Sequence, residues 1–524
     1  MKKLFILLIN ITCLAQSPAI QWQKSFGESN NENTSEIKQT PDGGYIIVGS
    51  TNSITGSYSN NHGGFDILVI KINSTGGLEW QKLFGGSALD YGRSIVTTSD
   101  GGYLVAGYTA STDFDAIGNH GNRDYIILKL NSLGNLEWKK CLGGSQDDYC
   151  DTIINTSDGG YALAGYSGSN DGDVNPVITN SGCWILKLDT DGNIIWQKSF
   201  QDNIYSTTNK IDIKQTPDNA FFIEYVSSSP NGITEGNVTT YYSDIFIKKI
   251  DSSGNNIIFQ RHYGGSFGEA AGEIAPTSDS GFVLIGESMS NDLDVSGHHG
   301  FPSDTNGNGN FDLWIMKADS NGNIQWQKSL GGSIHDYGVS VKTTSDGGYI
   351  ILGSTTSNDG DVIGNHSQYI SDYWLIRLNS IGSVLWKKCF GGTDSESASN
   401  IAITNDNGYI LAGNSTSSNG NVTFNNGLWD TWIVKLGPDS LSNSDFSQNK
   451  AIVYPNPANN FLNINLDNNS FIDNIVIIDI SGKIILEQKQ SGTQIEIESI
   501  SPGCYILEAF SGENKYQFKF IKQK

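Results

Sequence analysis

The chain has 524 residues, and its 55 acidic against 32 basic side chains give a formal charge of −23. That balance repels phosphate backbones and anionic membrane surfaces, so nucleic acid is not expected as a partner. With Gly abundant at 61, Met scarce at 3, and Ser, Thr and Asn between short apolar runs, the composition predicts many strands and tight turns, not long helices.

Residues 1–15, MKKLFILLINITCLA, have a basic start, an apolar run and small residues before Gln16, which predicts a secretory signal cleaved after Ala15. Cys13 follows Asn10, Ile11 and Thr12, a poor lipobox, so lipid attachment is the lesser reading. Nothing later is long and apolar enough to span a bilayer, so no transmembrane segment is expected in the mature chain. Cys141, Cys150, Cys183, Cys389 and Cys504 remain, an odd and scattered set that makes no disulfide framework. Cys141 and Cys389 share one slot, three residues after a recurring Trp, as small buried residues would.

Two markers then recur in step. Trp22, Trp80, Trp138, Trp196, Phe259, Trp326 and Trp386 are spaced by 58, 58, 58, 63, 67 and 60 residues. Asp42, Asp100, Asp158, Asp218, Asp279, Asp346 and Asp406 each stand three residues before an aromatic, mostly as DGGY. A period in this range marks units that bury their apolar faces only against neighbours. Each unit carries four strand-like runs, such as LEWQKLFG (78–85), SIVTT (94–98), YLVAGYT (103–109) and DYIILKL (124–130). Asp-Gly-Gly between the second and third of these supplies the positive φ of a tight hairpin.

Seven such units predict an all-β chain whose residues 20–437 form a seven-bladed β-propeller. A solenoid is the runner-up, but its distinctive polar end repeats are lacking in the sequence. With the DYIILKL-type run as the inner strand, the ring begins mid-blade at Trp22. Residues 430–436 would then be the inner strand of a blade whose other strands lie within 20–50, which closes the ring without free edges. The stretch DYIILKLNSLGNLEWKKCLGGSQDDYCDTIINTSDGGYALAGYS resembles the bacterial β-propeller repeat often called the SBBP repeat. The resemblance rests on scaffold positions and implies a fold more than a function. The unit from Trp196 departs most, lacking the GG pair and DGGY.

Residues 438–450 read as a polar linker, and 451–524 as short alternating strands of a small Ig-like β-sandwich. In this tail stand Tyr454-Pro455-Asn456-Pro457, Asp479-Ile480-Ser481-Gly482-Lys483, Pro502-Gly503-Cys504-Tyr505, and a basic end, KFIKQK. That series resembles the type A C-terminal sorting domain of the type IX secretion system, found in Bacteroidetes. The resemblance makes Tyr454, Pro455, Asn456, Pro457, Gly482, Gly503 and Tyr505 the sorting motif. It also implies the secretion machinery as a partner, loss of the tail, and release or attachment at the outer-membrane surface. Pro455 and Pro457 are expected to fix an extended lead into the first strand, and Ser481-Gly482 a hairpin turn.

Aligned units expose acids that hairpins do not require. Glu32, Asp90, Asp148, Glu269, Asp336 and Glu396 follow the first Gly of the GG corner, or its equivalent, by five residues. Asp66, Asp124, Asp244, Asp312, Asp372 and Asp430 open the DYIILKL-type strands. Both sets should lie on one face. The favoured reading is that they accept backbone N–H bonds and tie blades together; the unit from Trp196 and the blade of Cys183 lack both, which also fits service to one cation. Oxygen-rich crossing loops suit calcium. The sharpest candidate is DTNGNGNFD, with Asp304, Asn306, Asn308, Asn310 and Asp312 as donors and Gly309 at the sixth place, although the twelfth place is Ile315 instead of Glu. His62, His120, His299 and His366 share a crossing-loop position, as loop-packing residues would. No HExxH, GxSxG or GxxxxGK[ST] occurs. The expected function is binding or adhesion outside the cell, through an extracellular glycan or protein ligand. The alternatives are a polysaccharide-acting enzyme with its site at the channel mouth, and a structural surface-layer protein.

Overall fold

The computed structural model describes residues 15–175, 181–201, 204, 210–228, 233–235, 238–240, 242–300, 309–441, 451–466, 472–479, 483–489, 493–511 and 514–523. Most of the expected signal segment and linker therefore lies outside the described residues. The chain divides into two compact units, Ala15–Ser440 and a tail unit within Leu441–Lys524. Among the described residues no helix is long and apolar enough to cross a membrane.

The larger unit holds seven four-stranded antiparallel sheets. In chain order, sheets 1 to 6 span residues 32–84, 90–142, 148–200, 212–263, 269–330 and 336–390, and sheet 7 combines 396–436 with 20–26. Sheet 2 is typical: Asp90–Thr97, Tyr103–Thr109, Asp124–Leu130 and Leu136–Leu142 pair in that order. Its third strand, DYIILKL, is buried throughout, whereas its fourth is half-exposed along most of its length. A strand covered on both faces and paired on both edges reads as an unbroken apolar run. The first strands of successive sheets pack side by side, and that of sheet 7 returns to that of sheet 1. The fold is thus a multi-blade, β-propeller-like repeat.

Two expectations need correction. The innermost strand of each sheet is the first, as in Asp90–Thr97, and the DYIILKL-type strand is third; its apolarity reports two covered faces, not proximity to the axis. Closure is also different: Asp430–Leu436 pairs with Ile20–Phe26 on one side and Tyr409–Ser415 on the other. The partners of 430–436 therefore lie in 396–415 and 20–26, and residues 32–51 belong to the next sheet.

The two sequence markers prove to be partners. Six of the seven marker aromatics, on the fourth strand of one sheet, pack on the DGGY-type aromatic of the next, as Trp80 on Tyr103 at 5.9 Å, Trp326 on Tyr349 at 5.7 Å and Trp386 on Tyr409 at 6.3 Å. Their spacings match because neither side chain completes the core without the other.

The hairpin aspartate does a second job. Asp100 accepts bonds from the Gly102 N–H and the Thr98 hydroxyl, and an ion pair from Lys129 Nζ at 2.8 Å. Lys129, 5% exposed, also donates to the Leu130 carbonyl. The same cation–aspartate pair recurs in every sheet, with Arg377 and Asp346 in sheet 6. At the corner Gly101 has φ 81°, and its counterparts include Asn219 at 63° and Asn407 at 58°, the non-glycine residue that best tolerates this region.

In six sheets the first strand carries a bulge two to four residues after its acid. The glycine opposite it is pressed onto the bulged backbone: a Cβ on Gly107 would sit 1.9 Å from the Tyr91 carbonyl oxygen. Sheet 4 has Tyr225 at that position and pairs Asp212–Gln215 without a register shift. Accordingly, Gly107→Ala should destabilise by about 1–3 kcal/mol through overpacking. Gly101→Asn should change stability by about 0.5 kcal/mol or less, as for surface substitutions that break no special feature. Urea unfolding midpoints that rank the two variants in reverse order would refute this assignment.

In the tail, Ala451–Tyr454, Phe461–Leu466 and Gln494–Glu496 form a three-stranded sheet. Ile484–Lys489, Asn474–Asp479, Gly503–Ser511 and Asn514–Lys522 form a four-stranded one. Leu462, Ile464, Ile475, Ile477, Ile495, Leu507 and Phe520 make their shared core. Pro455 and Pro457 do not lead into the first strand, as expected, but follow it, since Tyr454 is its last residue. Gly482 lies outside the described residues.

Candidate functional site

The two sets of acids meet across the junctions between sheets. Around the first glycine of each GG corner, or the single Gly27, an acid opening a third strand faces the acid opening the next sheet's first strand: Asp430 with Glu32, Asp66 with Asp90, Asp124 with Asp148, Asp244 with Glu269, Asp312 with Asp336, Asp372 with Glu396. A Cβ on Gly391 would lie 2.2 Å from Glu396 Oε2 and 2.4 Å from Asp372 Oδ1. All twelve are at most 1% exposed. At the junction of sheets 3 and 4 the third strand opens on Gly182 and Asp212 pairs with Glu224 further along its strand, so among the described residues no such facing pair forms there.

The first-strand acids are saturated. Asp90 accepts from Thr109, from Ser111 Oγ at 2.8 Å and from the Gly86 N–H at 2.7 Å, and its counterparts do the same. The third-strand acids are half-satisfied. Oδ2 of Asp66, Asp124, Asp312 and Asp372 accepts from the backbone N–H and ring Nδ1 of His62, His120, His299 and His366. Oδ1 of these four, and of Asp430, has no partner and faces the neighbouring acid. Burial, with the facing acid adding to it, pushes Asp336, Glu396 and Asp430 up to about 6 and Glu269 up to about 8. Two buried carboxyls in contact cannot both ionise cheaply, so these groups staple blades and store protons. The histidines cap strand-opening acids and do not converge.

Of the expected calcium donors, Asp304, Asn306 and Asn308 lie outside the described residues. Asn310 donates its amide to the Ser333 carbonyl, and Asp312 is the junction acid just described. Among the described residues no group of three or more His, Cys, Asp or Glu side chains is arranged to hold a metal ion.

The site that sequence reasoning missed lies where the repeat breaks its own pattern. A cavity of about 330 Å³ is lined by innermost-strand residues, among them Ser35, Arg93, Asp151, Gly272, Val339 and Ser399, which share one repeat position. A second, of about 350 Å³, is formed by Tyr91, Tyr108, Tyr149, Arg93, Arg123 and Asp151, with Leu89. Arg93 and Asp151 line both, so the ion pair between them forms a wall common to the cleft and the axial cavity. In sheets 1, 6 and 7 the cleft position of the second strand carries Ser50, Ser354 or Asn414, each accepting a backbone N–H of the next sheet. In sheets 2 and 3 it carries Tyr108 and Tyr166, paired across the strands with Tyr91 and Tyr149. The rings run as a ladder, with centroids 5.1 Å apart for Tyr91–Tyr108, 4.9 Å for Tyr108–Tyr149 and 5.7 Å for Tyr149–Tyr166. Arg123 lies over Tyr149 and bonds its hydroxyl at 2.7 Å. The available signal was the TyrxArg of Tyr91 and Arg93, legible only once register is known.

Along the inner strands away from that cleft the walls are ionic. Lys214 bridges Asp212 and Glu273 at 2.8 and 3.0 Å, and Lys342 reaches Glu273 at 2.5 Å. Burial opposes ionisation of Glu273, but Lys342 and Lys214 hold its carboxyl well below the usual range. Both carboxyl oxygens of buried Glu224 lack partners, and burial pushes it well above its ordinary value. Glu287, on the wall of the axial cavity, is pushed by burial up to about 7.

In the tail, Asn456 stitches its loop to the last strand, accepting the Ile521 N–H at 3.0 Å and donating to the Lys519 carbonyl at 2.9 Å. Tyr505 stacks on Phe520 and donates its hydroxyl to the Ser501 carbonyl. Residues 452–523 match the family described as the secretion system C-terminal sorting domain. The tail is a sorting domain. As such it implies interaction with the secretion machinery and export to the cell surface or medium. In this sorting domain Tyr454, Pro455, Asn456 and Pro457 are all exposed, and Gly503 opens the strand that carries Tyr505.

No curated protein matches the chain. Among solved structures it is similar to the Neurospora crassa Pan2 WD40 domain, at 11% identity and TM-score 0.42, covering 77% of this chain and 89% of that one. It is also similar to BBS1N in complex with ARL6DN, at 10% identity and TM-score 0.41, covering 81% and 98%. A third is Drosophila Plexin A in complex with Semaphorin 1b, at 8% identity and TM-score 0.38, covering 81% and 88%.

Proposed function

We propose that the chain is a seven-bladed β-propeller of the SBBP-repeat type, carried out of the cell by the type IX machinery through an Ig-like sorting domain, and that it works there as a binding or adhesion module. The observation that carries the binding reading is the rim cleft: at one place on a repetitive ring, scaffold-bonding Ser and Asn give way to half-exposed Tyr and Arg around a cavity. Pockets with aromatic walls and a few convergent polar groups are where proteins take ligands. The test is saturable, non-consuming binding of the labelled chain to a panel of extracellular glycans and proteins; turnover of a panel member, or no saturable binding, would defeat it.

Glu287 supports a second reading, since a carboxyl poised near neutrality in a cavity suits general acid–base work on a polysaccharide. Glu287→Gln should then abolish any release of reducing ends. The calcium loop rests on the sequence alone: added calcium should raise the melting temperature of the wild type and not of Asp304→Ala, and equal effects on both would dismiss it.

A further inference from the structure

Building on the binding reading, we infer that the Tyr–Arg cleft takes an uncharged carbohydrate chain, with sugar faces on Tyr91, Tyr108 and Tyr149 and ring hydroxyls on Arg93 and Arg123.

Three observations select this ligand class. The first is shape and surface. The tyrosines are half-buried, not sunk in a core, and their ladder alternates tilted and edge-on contacts, with interplanar angles of 32° and 84°. Phe65 stacks on Tyr91 at 5.2 Å and Arg123 lies over Tyr149, so the differently inclined rings line the cleft with the faces and edges these neighbours leave uncovered. Aromatic faces are electron-rich and attract the weakly positive C–H faces of a pyranose, and the Tyr149 hydroxyl, which accepts from Arg123, keeps its own proton to donate.

The second is charge. Arg93 pairs with Asp151 at 3.4 Å and Arg123 with Asp147 at 3.3 Å. Two guanidinium groups thus face two carboxyls, and the whole chain carries −23. A polyanionic glycan gains nothing from a balanced rim on an acidic protein. The Arg93 and Arg123 side chains remain 35% and 34% exposed, and each guanidinium has more donors than its ion pair uses. Planar donors held in place by carboxylates suit vicinal hydroxyls.

The third is position. Arg93 and Asp151 line both the cleft and the axial cavity, so the cleft sits beside the axis and a ligand in it touches the wall the two cavities share. A peptide is the weaker fit. It binds by adding to a free strand edge or by seating apolar side chains, and among the described residues Leu89 is the only aliphatic side chain lining the cleft.

The full chain is titrated calorimetrically with a soluble glucan, a mannan and a galactan, with a uronic-acid polymer, and with a random peptide library on beads. Variants are Tyr149→Ala, Tyr149→Phe and Arg123→Ala, each checked by thermal melting. The expected result is saturable binding of at least one neutral polysaccharide. Binding should weaken tenfold or more in Tyr149→Ala and Arg123→Ala and less than threefold in Tyr149→Phe, which keeps the ring. Neutral-glycan binding that survives both Ala variants would overturn the site. Preferential capture of the uronic-acid polymer or of peptides, lost in the same variants, would overturn the ligand class and leave the binding-module reading standing. No binding to any probe would overturn both.

Discussion

Deleting residues 451–524 should leave a folded ring stranded in the periplasm. The tail has its own core, from Leu462 to Phe520, and forms a compact unit separate from Ala15–Ser440. The core clusters of the seven sheets are likewise built only from residues of the larger unit, so the truncated chain should melt as the intact ring does. What it loses is the surface read by the secretion machinery. Within that surface Asn456 holds the YPNP loop against the last strand by two hydrogen bonds. Asn456→Ala should lower export without unfolding the propeller, since each such bond contributes about 0.5–1.5 kcal/mol to the tail alone. Fractionation into periplasm, outer membrane and medium reads the result. Normal delivery of the truncated chain would remove the sorting assignment.

The repeat was legible because its two markers touch. Trp80 and Tyr103 lie in different sheets yet share one contact, so both repeat with one period. The order of strands about the axis was less legible. Hydropathy counts covered faces and singles out the third strand, whereas the first strand is polar because Arg93, Asp151 and Ser35 face the axial cavity. The junction acids stood out as columns in the aligned units, but that Asp372 meets Glu396 depends on how a crossing loop folds back on the next sheet. The cleft was the least legible part. Tyr91 and Tyr108 are 17 residues apart and become neighbours only through the strand register.

The ring should be most stable in mild acid, near pH 5, and should weaken as the pH rises to 8. Asp66, Asp90, Asp124, Asp148, Glu269, Asp336, Asp372, Glu396 and Asp430 have folded-state pKa values above their unfolded ones, so the folded ring keeps protons that the unfolded chain has released. Their contribution is fully present below about pH 4 and is lost as the pH rises through about 6 for Asp336, Glu396 and Asp430, and about 8 for Glu269. The hairpin aspartates run the other way. Hydrogen bonds and the paired cation outweigh burial and depress Asp42, Asp158 and Asp346 to about 2, so their contribution disappears in strong acid. The two trends cross between these ranges. At about 1.4 kcal/mol per pKa unit, a junction changes stability by about 1–3 kcal/mol over the interval. Asp430→Asn is the sharpest probe. Asp430 faces Glu32, with Glu28 and Tyr58 nearby, and no cation adds to the causes of its shift. An asparagine there can still accept the Asn426 N–H and can donate its amide toward Glu32, doing permanently what the proton does only in acid. Thermal melts between pH 5 and 8 should therefore show a shallower decline for Asp430→Asn than for the wild type, and a shallower one still when Asp372→Asn is added, because the two junctions share no partner. A slope unchanged in both variants, or a wild type that gains stability toward pH 8, would mean that the paired carboxyls do not hold their protons in the folded ring.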